Sequence, residues 1–390
     1  MVTPNSTGIY LYAIIPAGDE IIFDVGGAGS DNDKVYTIPH RDLAVVVSAS
    51  PLPDYRGLKR NQAAVYLVTH QRVVEAVMQD FSLLPVKFGT VLTDEAQVRR
   101  LLAQGEALFR SALERFSGQV QMEVVVLRNL QQVFQEIGQE AQIADLRTQI
   151  AGRPPEETTA ERIAIGQMVQ ASLEQRRTAL RDRLLPSLQE VALDLVVNPP
   201  MDDSMVANIA LLVDKAGRGA LDQRLKSLDE EFEGRLLFRC VGPLPPYSFA
   251  AVEVQVPSFG AIDEARRCLG LEETVPPGEI RQAYRWLASQ LHPDLNPDDP
   301  QAEARMAELT KACELLMAYA GNMQRGRGAE EQGSQGAEEQ GSGGAGEVLL
   351  RTSAPPHLCT FSRQAVERTL LIALRRQETL LAHLGGTGDV

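Results

Sequence analysis

At ~150 residues per domain, a chain of 390 residues suggests two or three domains. It is 44% hydrophobic and 23% charged, close to globular averages, so wholesale disorder is excluded. A net charge of −14 repels phosphate and argues against nucleic acid or a membrane surface as a partner of the whole chain. A single tryptophan, Trp286, and 5% aromatic residues argue against base-stacking platforms. Four cysteines without pairing spacing fit a reduced, cytoplasmic protein. The N-terminal MVTPNSTGIYLYAII has no charged region before its apolar run, so no signal peptide is expected. No stretch approaches the ~18 apolar residues of a membrane span.

In chain order, residues 8–15 (GIYLYAII) and 43–49 (LAVVVSA) are apolar runs of strand length, with a turn-rich loop, GGAGSDND, at 26–33. Ala63, Tyr66, Leu67, Val74, Val77, Met78 and Phe81 recur at helical spacing over 60–81, with His70 on the apolar side. LLPVKFGTVL (83–92) is extended and punctuated by Pro85 and Gly89. Thr93 is the expected cap of the next helix, whose apolar stripe runs from Val98 to Phe116.

The following segment alternates more clearly. Strands are predicted at 119–127, 190–198, 206–213 and 235–241, with helices over 156–185 and from Leu221 to Phe232. This β-α-β-β-α-β order is that of a ferredoxin-like sandwich, with 129–155 as a helical insertion. Residues 250–256 give one more strand, able to edge either sheet.

The fold class is therefore α+β. A mixed α/β domain spans 1–118 and the ferredoxin-like domain 119–256; an all-α segment follows over 261–321. Residues 322–346, where GAEEQGS occurs twice, have nothing to bury and are expected to be a flexible linker. In the last segment, 347–390, Val366, Leu370, Ala373, Leu381 and Leu384 predict a docked amphipathic helix over 361–384.

Enzyme signatures are largely absent, and no cofactor is called for. GGAG at 26–29 lacks the third glycine of a dinucleotide loop and the helix it should open. His357 and Cys359 are the nearest approach to a metal pair, far short of the three or four convergent donors a site needs. His70 fits a hydrogen-bonded core histidine better than a catalytic base. A small-ligand sensor is the remaining alternative, and it would place a polar pocket at the 129–155 insertion.

One short motif rises above background. His292-Pro293-Asp294 follows a helix with Ile280, Ala283, Tyr284, Leu287 and Leu291 on one face, and a further helix with Met306, Leu309, Cys313 and Leu316 comes after it. Two helices joined by an exposed loop form an αα-hairpin, with His292 and Asp294 offered as donor and acceptor to a partner. Together with the Leu269-Gly270-Leu271 turn, about 60 residues resemble a J-domain, the module by which DnaJ-type co-chaperones engage DnaK-type ATPases. The resemblance implies that the His292-Pro293-Asp294 loop stimulates ATP hydrolysis, with Arg281 and Arg285 as docking cations. One departure is that only these two basic residues remain on the second helix, and 261–321 carries a net charge of −5, so electrostatic steering toward an acidic surface is weak.

A larger resemblance lies upstream. GIYLYAIIP at the start, HQRVVEAVMQDFSLLPVKFGTVL at 70–92 and VGPLPPYSF at 241–249 together resemble the gas vesicle protein family GvpF/GvpL over about 1–256. That resemblance implies a non-enzymatic assembly protein or minor structural component that binds the apolar main shell protein. Other vesicle accessory proteins are then partners, and the chain would be cytoplasmic before assembly and in the gas vesicle afterwards. It marks Leu84, Pro85, Lys87, Phe88, Gly89 and Thr90 as motif residues, either structural or in contact with the shell protein. Members often carry Arg where Lys87 stands, so a charge is kept while bidentate pairing is lost. Core packing is the simpler role for Leu84, Val86 and Phe88. The alternative function is a J-domain adaptor that presents a client to a DnaK-type ATPase.

Overall fold

A computed structural model describes residues 8–28, 33–296, 299–335 and 358–376. By contact density the chain divides into two units. Among the described residues, one holds those within 8–77, 86–114 and 252–374, the other those within 78–85, 115–251 and 375–376.

The first unit begins with strands β1 (Gly8–Ile15), β2 (Ile22–Gly26), β3 (Lys34–His40) and β4 (Leu43–Ser50). They lie antiparallel in the order β2-β3-β4-β1. Every residue of β1 is buried, as a continuous apolar run requires when both faces of a strand are covered. Strands β2 and β3, which flank the expected loop, are not distinguished by periodicity: β2 is an edge strand of exposed and half-buried residues and β3 contains Pro39. Helix α1 (Arg60–Asp80) buries His70, Val73, Val74 and Val77. The short strands β5 (Leu84–Pro85) and β6 (Val91–Leu92) bracket a turn, and β6 pairs with β1.

Helix α2 (Glu95–Arg115) is capped by Asp94 rather than by the expected Thr93. The Asp94 carboxylate accepts from the Gln97 amide at 2.9 Å, while the Thr93 hydroxyl donates to Asp94 at 2.9 Å. A carboxylate next to the first turn also complements the helix dipole, which favours Asp over Thr at this place.

The second unit is built on β7 (Gln119–Arg128), β8 (Asp194–Asn198), β9 (Met205–Asp214) and β10 (Leu236–Leu244). They form a fully antiparallel sheet in the order β10-β7-β9-β8. Helices α5 (Thr159–Gln189) and α6 (Arg218–Glu231) connect them, so the β-α-β-β-α-β order read from the sequence is present. Alternate residues of β7, namely Val120, Met122, Val124 and Val126, meet Ile209 and Leu211 of β9 and Leu184 and Leu188 of α5. Burying each leucine of this kind contributes about 1.5–3 kcal/mol. The insertion forms α3 (Leu130–Ile137) and α4 (Ala141–Ile150), held to α5 by Ile137, Ile143 and Leu173.

Strand β11 (Ala251–Gln255) joins neither sheet. It pairs instead with a strand from the C-terminal segment, and Val252 makes a parallel bridge to Val86. Then come α7 (Phe259–Cys268), β12 (Thr274–Val275), α8 (Pro277–Leu291) and α9 (Ala302–Gln335). Helix α9 runs through residues expected to begin a linker. Its Ala, Glu, Gln and Arg are good helix formers, and extending a helix already nucleated costs little. The rest of the expected linker, 336–346, lies outside the described residues, as do 347–357 and 377–390.

The expected helix over 361–384 is not formed in its described part. Residues 358–376 make β13 (Cys359–Thr360), a short α10 (Arg363–Arg368) and β14 (Leu371–Arg375). The helix stops because Thr369 takes an extended backbone, φ −96° and ψ 126°, and the chain beyond it pairs with β11. Strand β13 pairs with β12, and Cys359, Phe361, Val366 and Leu371 complete a core with Ile262, Ile280, Leu316 and Tyr319.

Candidate functional site

The loop after α8 is organised by the end of that helix. Two of its last carbonyls find a donor in Asn296, whose side-chain amide donates to Gln290 O at 2.8 Å and to His292 O at 3.1 Å. The amide of Leu295 donates to His292 O at 3.0 Å, closing a single 3-10 turn over Pro293–Leu295. The Asp294 amide donates to His292 Nδ1 at 3.2 Å. That bond makes Nδ1 an acceptor and leaves Nε2 to carry the proton of the neutral ring. Both side chains face solvent: His292 is 48% exposed and Asp294 86%. Arg281 and Arg285 are exposed on α8. Trp286, on the same helix, is 61% exposed, and Leu295, directly after the motif, is 68% exposed. The platform beneath is apolar, with Ile280 buried and Ala283, Tyr284 and Leu287 packed against the core that includes Leu309 and Leu316.

The motif at 84–90 is organised differently. Leu84, Pro85 and Val86 are buried. The Val86 amide donates to Tyr12 O at 2.8 Å and the Lys87 amide to Val252 O at 2.9 Å. Lys87 Nζ donates to Glu253 Oε1 at 2.7 Å. Thr90 Oγ1 closes the turn on Lys87 O at 2.7 Å, and the Gly89 amide donates to the Tyr10 hydroxyl at 3.1 Å. Gly89 sits at φ +80°, and a Cβ there would come within 2.9 Å of Tyr55 Cβ. Phe88 lies edge-on to Tyr10, Tyr55 and His70.

His70 is buried in this aromatic cluster. The Tyr10 hydroxyl, 3.0 Å from its Nδ1, accepts from Gly89 and so can donate to the ring. Burial pulls the His70 pKa down to about 3, against a smaller opposing effect of a hydrogen bond with the Val86 backbone. Burial likewise pushes the Tyr12 and Tyr55 hydroxyls up to about 12.

Sequence reasoning missed Glu253, the partner of Lys87, because nothing local joins residues 166 positions apart. It also passed over Asn296, although an Asn just beyond a helix end is a recognisable capping signal. Among the described residues, no group of three or more His, Cys, Asp or Glu could hold a metal ion. No helix among them is long and apolar enough to cross a membrane.

Residues 8–251 match the family described as gas vesicle synthesis protein GvpL/GvpF. The chain belongs to the GvpL/GvpF family. Gas vesicle protein F of Nostoc sp. is 27% identical over 251 residues, which cover 63% of this chain and 99% of that protein. Gas vesicle protein L of Streptomyces sp. is 30% identical over 260 residues, covering 62% of this chain and 92% of the relative. The crystal structure of the gas vesicle protein GvpF from Anabaena sp. superposes with a TM-score of 0.50 at 26% identity, over 62% of this chain and 97% of that one. A DnaJ domain matches residues 267–320, and a mitochondrial DnaJ chaperone of Arabidopsis thaliana is 44% identical over 59 residues, 15% of this chain and 13% of that protein. The chain thus joins a gas vesicle protein of nearly full family length to a DnaJ domain.

Proposed function

We propose that this chain is a gas vesicle assembly factor that holds the apolar shell protein and uses its DnaJ domain to bring a DnaK-type ATPase to that client. The physical problem is the shell subunit itself: a surface that must later repel water aggregates if left exposed beforehand. A soluble acidic holder keeps such a subunit dispersed, and an ATP-driven partner supplies a way to release it. The observation that carries the reading is the His292-Pro293-Asp294 loop. It is fused to a gas vesicle family body, its His292 and Asp294 side chains are open to solvent, and the hairpin below it packs its apolar face against a buried core.

In this reading no bond in a substrate is made or broken by the chain, and its charged groups serve binding. His292 Nε2–H and the Asp294 carboxylate are the groups the loop offers a chaperone, and Arg281 and Arg285 are exposed earlier on the preceding helix. The family body offers strand edges for β-addition of an apolar segment.

The test is light scattering of the purified shell protein diluted from denaturant into buffer, with and without the full chain. Suppressed scattering at near-stoichiometric amounts, and co-purification of the two, are expected. Undiminished aggregation and no co-purification would overturn the holder role.

A further inference from the structure

Strand β7 ends at Arg128, and the chain turns at once into α3, capped by the Asn129 side chain. Where α3 meets α5 and the residues leading into β10, the second unit forms an open cleft of about 300 Å³. Its apolar lining includes Val133, Leu180 and Phe232. Its charged lining is four arginines, Arg128, Arg176, Arg183 and Arg235, against one carboxylate, Glu136. In a chain of net charge −14, a pocket with this excess of guanidinium is a local inversion of sign.

The four arginines are not equally compensated. Arg176 is held by Glu136 at 2.6 Å and Glu140 at 2.9 Å. Arg183 pairs with Glu231 and lies 4.8 Å over the Phe232 ring. Arg235 has no carboxylate partner among the described residues; its Nε donates to the Phe232 carbonyl at 3.3 Å. Arg128 is 6% exposed and donates only to carbonyls, Asp203 O at 3.1 Å and Leu173 O at 3.2 Å. Its Nη2 is buried with no hydrogen-bond partner among the described residues. Burial, with the nearby charge of Arg177, lowers the Arg128 pKa, against the opposing charges of Asp203 and Glu174. A buried guanidinium hydrogen-bonded only to carbonyls, with no carboxylate in contact, is costly, and an anion brought from outside relieves that cost.

We propose that this cleft binds a small organic anion, a phosphate or carboxylate on an apolar body, with the arginines supplying the charge and Phe232, Leu180 and Val133 receiving the body. The volume sits at the lower end of ligand pockets, ~300–1,000 Å³, which fits a single ring bearing one acidic group and excludes a dinucleotide. The planar guanidinium of Arg183, backed by the buried Phe232 ring, offers its outer face as a stacking surface for such a ring. The site depends on neither the chaperone nor the shell-protein reading. It gives α3 of the helical insertion a role as one wall of a binding site.

Isothermal titration of the full chain with phenyl phosphate tests this, with inorganic phosphate and benzyl alcohol as separate arms. Saturable one-to-one binding of phenyl phosphate is expected, at least tenfold tighter than either arm alone. Arg235→Gln should weaken it tenfold or more. Arg183→Gln is the second variant, should the first fail to keep the native circular dichroism. Arg99→Gln, on α2 in the other unit, should leave it unchanged. No saturable heat at millimolar phenyl phosphate, or equal affinity in wild type and the folded arginine variants, would overturn the proposal. Equal affinity for inorganic phosphate would mark an adventitious ion only and would overturn it as well.

Discussion

The turn at 84–90 and the loop at 292–296 are both short, proline-containing and quoted by family motifs, yet they spend their polar groups in opposite ways. In the first, the Val86, Lys87 and Gly89 amides and the Lys87 ammonium end on other parts of the chain, and the Thr90 hydroxyl closes the turn on Lys87 O. In the second, the backbone is satisfied locally by Asn296, while the side chains of His292 and Asp294 are left to solvent. A motif whose groups are spent inside the fold acts by holding shape. A motif whose backbone is rigid and whose side chains remain open is built to meet something else. Under the proposed function, the first turn holds shape and the second loop meets the chaperone.

Substitutions can break that contrast. The largest effect is expected at the support of the loop. Phe361 is 1% exposed and its ring centroid lies 5.7 Å from that of Tyr319. Phe361→Ala should cost about 3–5 kcal/mol of stability in denaturant melts, because it leaves a cavity in the core under α8 and α9. A loss below about 1 kcal/mol would mean that the C-terminal segment is dispensable to this module.

Next is Gly89→Val. A β-branched residue at φ +80°, with its Cβ aimed at Tyr55, should cost about 2–3 kcal/mol and lower Tm by several degrees. Unchanged stability would show that the turn is not the fixed element described above.

The buried imidazole gives a pH test of the same cluster. Folded His70 stays neutral down to about 3, whereas the unfolded ring takes up a proton below 6.5. Its contribution is therefore complete above pH 6.5 and is lost as pH falls from 6.5 toward 3, with a slope of up to about 1.4 kcal/mol per pH unit. Urea melts between those limits should show this slope, and His70→Asn should flatten it. The same slope in the variant would assign the effect to other groups.

The smallest effect is expected at Lys87. Its ion pair with Glu253 is partly open to solvent, at 43% and 15% side-chain exposure, so Lys87→Met should change stability by no more than about 1 kcal/mol. A larger loss would show that the pair does more than fasten the turn to β11.

The sequence made some of this legible because the signals were local. The unbroken apolar run at 8–15 reads as a central strand, and the alternation of strands and helices after Gln119 reads as one domain. His292-Pro293-Asp294 stands out because a helix with an apolar face precedes it. The C-terminal segment was not legible. Val366 and Leu370 have helical spacing and are both buried, yet one packs from a single-turn helix and the other from the stretch leading into a strand. Tertiary pairing with β11 and β12 decides the matter, and the partners of β13 lie 84 or more residues away. The arginine cleft was half legible. The ligand-sensor alternative places a polar pocket at the insertion, but the arginines of this cleft come from β7, α5 and the residue before β10, and no spacing in the chain brings them together.

The most direct test of the central assignment is the steady-state ATPase rate of a DnaK-type chaperone titrated with the full chain and with His292→Gln. Because His292 is exposed, the substitution should leave stability within about 0.5 kcal/mol, so both proteins can be compared fully folded. The account predicts severalfold stimulation by the wild-type chain and none by the variant, while both still bind the shell protein. Equal rates with the two proteins, or no stimulation by either, would contradict it.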